Sequence, residues 1–279
     1  MSGRESSCMV RCVSFMHRPS HADQLHMDLW WRGLNVLSDP GTFSYVSFPT
    51  SDWGFKSTFF HNTVAIDGLD QMTDASQFLW LDWSQGHERR LDLSEQWDYA
   101  ELEHDGYRRI GVSHRRTILR VGDHAWVIVD DLLGSGVHSC RLHWLLADFP
   151  FDFKESDRTL TLRTPLGSID LRVFCASTST STLARAGQQV HPALMPDRED
   201  RGWIAPCYNR LEPGLSFAEE SCAQLPIRFI TIVGMEDGAI LHVAGSGVRI
   251  RSGDRVFDVS LAVPGENKVV NDIQVATFS

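Results

Sequence analysis

Hydrophobic side chains in this chain recur at every second position, segment after segment, and nowhere convincingly at every third or fourth. Successive side chains of an extended strand point to opposite faces, so this period puts one face of each segment into a core. In HMDLWWR, residues 26–32, Met27 and Leu29 alternate with Asp28 and Trp30. The same reasoning predicts strands over 58–67, 78–83, 97–103, 112–121, 125–131, 137–147, 168–175, 227–233, 240–243, 248–251, 256–262 and 268–278. Turn signals separate them: Asp67-Gly68, His104-Asp105-Gly106, Glu236-Asp237-Gly238, Ser252-Gly253-Asp254 and Pro264-Gly265, with Gly134-Ser135-Gly136 read as a hairpin turn. Many short strands without an amphipathic helix predict an all-β fold, a large multi-stranded antiparallel β-sandwich (a super-sandwich). Residues 1–15 read as an irregular remnant or incoming strand, and 16–279 as the sandwich. The polar stretch 177–201 reads as a long surface excursion.

The chain carries 36 acidic against 26 basic residues, a net charge of −10, which argues against nucleic acid as the main partner. An acidic protein that handles anionic sugars needs a local basic pocket. The start, MSGRESSCMVRC, has no apolar core of a signal peptide, so the expectation is a cytoplasmic protein if this start is authentic. No run of 18 apolar residues exists, which excludes a helical membrane span. Cys8 and Cys12 lack the second close pair of a zinc ribbon, and Cys140 and Cys175 read as buried thiols within strands.

Three words near the N-terminus carry the chemistry: His21-Ala22-Asp23-Gln24, Asp39-Pro40-Gly41-Thr42 and His61-Asn62-Thr63-Val64. Two imidazoles and a carboxylate on separate strands suit one divalent, zinc-like ion with a position left for water. From ligand chemistry alone, a buried His–Asp hydrogen-bond network that braces the sheet accounts for the residues as well. Asp23 would share a face with His21 in an extended strand and could orient its ring, or could be a solvated edge residue. Asn62 and Gln71 are candidates for hydrogen bonds to a sugar or to the ligands, and Asn62 is equally a turn or bulge residue.

The surrounding words, HADQLHMDLWW, DPGTFSY and HNTVAIDGLDQ, resemble the C-terminal β-sandwich of the heparinase II/III family of polysaccharide lyases. The resemblance continues through Asp105-Gly106-Tyr107, His114-Arg115-Arg116, residues 126–132, Gly136-Val137-His138 and Leu142-His143-Trp144 to Arg201-Gly202-Trp203 with Pro206 and Tyr208. It implies a metal bound by His21, Asp39 and His61, β-elimination on a uronate-containing, anionic polysaccharide, and a periplasmic or cell-envelope setting. It also implies an α/α toroid, as a domain or a separate chain, that supplies much of the catalytic machinery; this sequence contains none.

Two departures stand out. Pro19 occupies the position two before His21 where several family members place a catalytic His, leaving His17 and His26 as weak catalytic candidates. Lys56 replaces an Arg common before the His-Asn-Thr word, which keeps the charge but not bidentate carboxylate binding. Lys56 and Trp53, the latter in a loop, are the substrate-binding candidates besides Asn62. The doublets Arg89-Arg90, Arg108-Arg109 and Arg115-Arg116 read mainly as a charged solvent face. The alternative to a lyase component is a non-catalytic, metal-stabilised carbohydrate-binding or structural β-sandwich.

Overall fold

The protein is seen in a computed structural model that describes residues 1–45, 55–192, 200–236 and 238–277. It is all-β, and its three large sheets stack in layers beside a separate hairpin, Thr73–Ser76 with Leu79–Leu81. The first layer is a nine-stranded sheet running Ser6–Val10, Met27–Trp31, Leu34–Leu37, Val137–Ala147, Arg210–Gln224, Ser179–Arg185, Gln188–His191. Val64–Ile66 joins it on Val137–Ala147, and Trp203–Cys207 on Arg210–Gln224. The middle layer has eight strands in the order Phe151–Lys154, Thr159–Thr164, Gly167–Cys175, Ile227–Met235, Ala125–Leu133, Ser113–Val121, Trp97–His104, Gly86–Leu93. The third has four: Gly238–Ala244, Gly247–Ser252, Arg255–Leu261 and Val270–Thr277. The ladders are antiparallel.

The middle sheet is covered on both faces, and the period of two shows how. In Ala125–Leu133, Trp126, Ile128 and Leu132 enter the core shared with Met27, Leu29, Trp144 and Phe217 of the first sheet. Ala125, Val127 and Val129 enter a second core with Val248, Ile250, Phe257 and Val259 of the third. A strand buried on both faces reads as a continuous apolar run, as residues 125–129 do. Each fully buried side chain of this size stabilises the fold by roughly 1.5–3 kcal/mol.

Charges punctuate both cores at one level of the middle sheet. Arg116 and Asp130, direct cross-strand neighbours, are buried on the first-sheet side and bonded through Nε and one terminal nitrogen of the guanidinium at 2.7 and 3.0 Å. The other arm of Arg116 reaches across the interface to the carbonyls of Leu25 and Asn62, each at 2.6 Å. On the opposite face, Asp131 pairs with Arg228 at 2.6 and 2.7 Å, and Arg115 donates to the Glu266 carbonyl at 2.7 Å. The solvent-face expectation for Arg115-Arg116 is therefore corrected. Adjacent residues do face opposite ways, but here both ways lead into protein.

Behind Asp130 runs a chain of imidazoles with a fixed proton order. The Gly106 N–H donates to His104 Nδ1 at 3.0 Å, so the proton of His104 sits on Nε2, which faces His114 Nδ1 at 3.1 Å. His114 in turn faces Asp130 through Nε2 at 2.7 Å.

Three further expectations are corrected. The stretch 177–201 is not a strandless excursion: Ser179–Arg185 and Gln188–His191 extend the first sheet, because Ser181, Leu183 and Ala184 supply a buried face. Gly134-Ser135-Gly136 joins strands of different layers, so it is not a hairpin. The predicted strand 58–67 begins as a 3-10 turn, Thr58–Phe60, and becomes a strand only at Val64–Ile66.

Replacing Arg116 by Met should lower stability by about 3–5 kcal/mol, because Asp130 is then left charged and buried without its partner; equilibrium denaturant unfolding measures this. Burial, aided by the charges of His114 and Arg116, pushes the His104 imidazole well below its usual value, and burial lowers His114 too. Both take up a proton less readily in the fold than in the unfolded chain, where they do so below about pH 6.5. Their contribution is thus complete above pH 6.5 and declines as pH falls below it. Urea midpoints at pH 7.5, 6.0 and 5.0 should decrease in that order, and less steeply in His104→Asn.

Candidate metal centre

Three loops bring the sequence words together at one end of the first sheet, and each loop is locally pinned. In the first, Ala22 N–H donates to the Lys56 carbonyl at 2.8 Å, and Thr58 Oγ1 donates to the Ala22 carbonyl at 2.8 Å. The Gln71 amide clamps the backbone of Gln24 from both sides, accepting at 2.7 Å and donating at 3.0 Å. Leu25 follows with a left-handed φ of 60°, a conformation that costs an L-residue about 1–2 kcal/mol. The Arg116 contact to its carbonyl holds it there.

In the second loop Asp39 Oδ1 accepts the Gly41 N–H at 2.7 Å, closing a turn. Gly41 has φ +72° and lies so close to the Ala205 carbonyl that no side chain would fit. Ala205 N–H donates back to Pro40 at 2.8 Å. In the third loop Asp70 accepts from Ser57 Oγ and from the Thr58 N–H, each at 2.7 Å, setting the turn that leads into His61.

These loops converge on His61. Its ring lies 5.2 Å from that of His21 and 5.3 Å from that of His26, centre to centre. Asp39 Oδ2 stands 3.5 Å from His61 Nδ1 and 3.4 Å from His26 Nε2. Two sets of possible ligand atoms meet here, His21–Asp23–His61 and His26–Asp39–His61, each within 4.8 Å. His61 belongs to both. Both of its ring nitrogens are buried without a hydrogen-bond partner. A neutral imidazole has one donor and one acceptor to satisfy, and leaving both bare in the interior is costly. A divalent ion would satisfy one of them. The Asp39 contacts are long for hydrogen bonds but close to the spacing of about 3.3 Å between ligands of a tetrahedral zinc site. The donors around His61 fit such an ion as the sets His21–Asp23–His61 and His26–Asp39–His61; among the described residues His21, Asp39 and His61 do not form one set within 4.8 Å.

The cluster is buried below and open above. His61 and His26 are enclosed, while the Asp39 side chain is 41% exposed and His21 half-buried. Burial and the adjacent His61 push His21 down to about 4 and His26 down to about 3, so both are neutral near pH 7. Burial would raise Asp39, but its contacts with His61 and His26 outweigh this and hold its carboxyl below the usual range. Asp23 is buried, raised by burial against the pull of His61 and of Arg11, whose Nε lies 2.8 Å away.

The other candidates separate clearly. Asn62 is fully buried, and its amide is spent on the carbonyls of Met27 (2.9 Å) and Ser38 (3.1 Å) and the N–H of Leu145 (2.6 Å). A sugar cannot reach it, so the substrate-binding expectation for Asn62 is corrected to a brace between loops. Lys56 points its ammonium to Asp74 at 2.7 Å and over the Trp80 ring. His17 is exposed and Pro19 buried, so no imidazole takes the place that Pro19 fills. Trp53 lies outside the described residues. Sequence reasoning missed Arg11 and Thr42, the latter 3.2 Å from His21 Nε2, and the anchor Arg116. An Arg facing an Asp across two adjacent strands was the available signal for the last.

Comparison with known proteins places the chain in a family. Residues 1–245 match the heparinase II/III-like, C-terminal family. A heparin-sulfate lyase of Bacteroides stercoris is 22% identical over 214 residues, which is 74% of this chain and 28% of that protein. The chain thus spans little more than a quarter of the curated relative. A solved heparinase III superposes with a TM-score of 0.68 at 16% identity, covering 97% of this chain and 39% of its own. Heparan sulfate lyase HepC from Pedobacter heparinus gives 0.64 at 14% identity, covering 92% and 37%. With the family matched over most of its length and the sandwich superposing almost throughout, this chain belongs to the heparinase II/III-like, C-terminal family.

Proposed function

We propose that this sandwich is part of a polysaccharide lyase that cleaves uronate-containing, anionic polysaccharides by β-elimination. An α/α toroid, on the same polypeptide or a separate one, would complete the active cleft. The observation that carries the reading is the bare, buried imidazole of His61, set between Asp39 and His21 in loops whose sequence words are those of the family. One divalent ion, zinc by the borderline hardness of two imidazoles and a carboxylate, would be held by His21, Asp39 and His61. Bound there, it would tie the three loops together and offer positive charge near a substrate carboxylate.

The chain's own residues have narrower tasks. Neutral His21 and ionised Asp39 are in the protonation states that ligation requires. Asp23, paired with Arg11, flanks the ligands. Lys56 is held by Asp74, so it contributes charge more than contact. β-Elimination needs a base for the C5 proton and an acid for the leaving oxygen. With His21, Asp39 and His61 given to the ion, those groups are assigned to the toroid. Such a lyase belongs in the periplasm or cell envelope, where its polymer is met.

A second reading has one observation in its favour: Pro19 and the outward His17 leave the site without the imidazole several lyases use. It makes the chain a metal-stabilised carbohydrate-binding or structural sandwich. Binding of uronate oligosaccharides without unsaturated product, even with a toroid present, would support it over the lyase.

Mass spectrometry of the purified chain should find about one zinc-like ion, lost in His61→Ala together with several degrees of melting temperature. An ion at about a hundred times its dissociation constant stabilises by roughly 2.7 kcal/mol. An unchanged melt and no metal in the wild type would sink the metal reading. The chain alone should release no unsaturated uronate from heparan sulfate or alginate, and adding a family toroid should restore release. Turnover by the sandwich alone would contradict the division of labour.

A further inference from the structure

His26 stands as close to Asp39 as His61 does, and by distance alone either could be the second imidazole ligand. Their hydrogen bonds differ. The backbone N–H of Asn62 donates to His26 Nδ1 at 2.9 Å, so that nitrogen carries a lone pair and the ring proton sits on Nε2. A histidine that ligates a metal through Nε2 needs its proton on Nδ1, which usually donates to a carbonyl or carboxylate. His26 has the reverse arrangement. His61 has no hydrogen bond at Nδ1 or Nε2, and His26 none at Nε2.

The arrangement is rigidly built. Asn62 is fixed by the amide bonds to Met27, Ser38 and Leu145, and its carbonyl accepts from Arg116 at 2.6 Å. The same guanidinium group holds Leu25, the residue before His26. Ring and backbone donor are thus set by one buried cation, and the ring cannot flip without leaving the Asn62 N–H unpaired in the interior.

Resting on the metal reading above, we propose that His26 is a positioning residue and not a ligand: it is locked as the Nε2–H tautomer and directs that N–H at the Asp39 carboxylate, orienting it toward the ion shared with His61 and His21. At 3.4 Å the contact is long for a hydrogen bond. A carboxylate ligand held in this way is the usual outer support of a metal site, and losing such support weakens binding by about 10–100-fold.

Ring nitrogens of 15N-labelled full-length protein, observed before and after one equivalent of Zn2+, test this directly. The expected spectrum shows His26 with Nδ1 bare and Nε2 protonated in both states. Zn2+ titrations should find His26→Gln, which keeps a donor near the Nε2 position, within about threefold of wild type. His26→Ala should be about 10–100-fold weaker and His61→Ala should fail to bind. A proton on Nδ1, loss of the Nε2 proton on adding Zn2+, or His26→Gln failing as completely as His61→Ala would overturn the proposal. If the wild type takes up no Zn2+, the metal reading fails, while the spectrum still decides whether His26 is the locked donor.

Discussion

The candidate site depends on a buried ion pair that lies outside it. Arg116 and Asp130 sit on the middle sheet, within the core it shares with the first, and Arg116 spends its remaining donors on Leu25 and Asn62. Those two carbonyls belong to the loops that carry His26 and His61. Taking a guanidinium and a carboxylate out of water is expensive, and the pair is tolerable because every arm of the cation is bonded and Trp144 covers its face. What the ion pair secures is position. Two loops are thereby referenced to a strand in the next layer.

The three-layer arrangement explains why such a bridge can exist. A two-layer sandwich has one inner face per sheet, and a doublet such as Arg115-Arg116 would send one side chain to solvent. Here the middle sheet faces protein on both sides, so Arg116 anchors the site while Arg115 and Arg228 tie down the connections around Ala262 and Glu266. The left-handed Leu25 belongs to the same logic. It is a strained turn whose carbonyl the cation holds, and it swings His26 into the cluster only five residues after His21. The local strain is offset by the bridge.

Much of this was legible in the sequence. Ala125–Leu133, with its continuous apolar run, and Val137–Ala147, with its buried apolar positions, were found close to their observed bounds because apolar side chains mark the faces they bury. The longest strand, Arg210–Gln224, escaped. Pro213-Gly214 and Glu219-Glu220 interrupt its apolar pattern, yet Glu219 is buried against Arg158 and Ser181. The three metal words stood out because their loops need fixed residues: Gly41 at its close approach, Asp39 to cap the turn. His26 was visible only faintly, since a five-residue offset says nothing about facing unless the turn at Leu25 is known. Asn62 was misjudged because an amide's use depends on which carbonyls surround it, and those come from Met27, Ser38 and Leu145, distant in sequence.

The central claim is that the layered fold delivers two imidazoles and a carboxylate, from His21, His61 and Asp39, to one ion. X-ray absorption at the zinc edge on the zinc-loaded full chain tests it most directly. The account predicts a first shell of nitrogen and oxygen at about 2.0–2.1 Å with the outer-shell signature of two imidazoles. A sulfur shell at about 2.3 Å, a single imidazole, or zinc that washes away before measurement would contradict it.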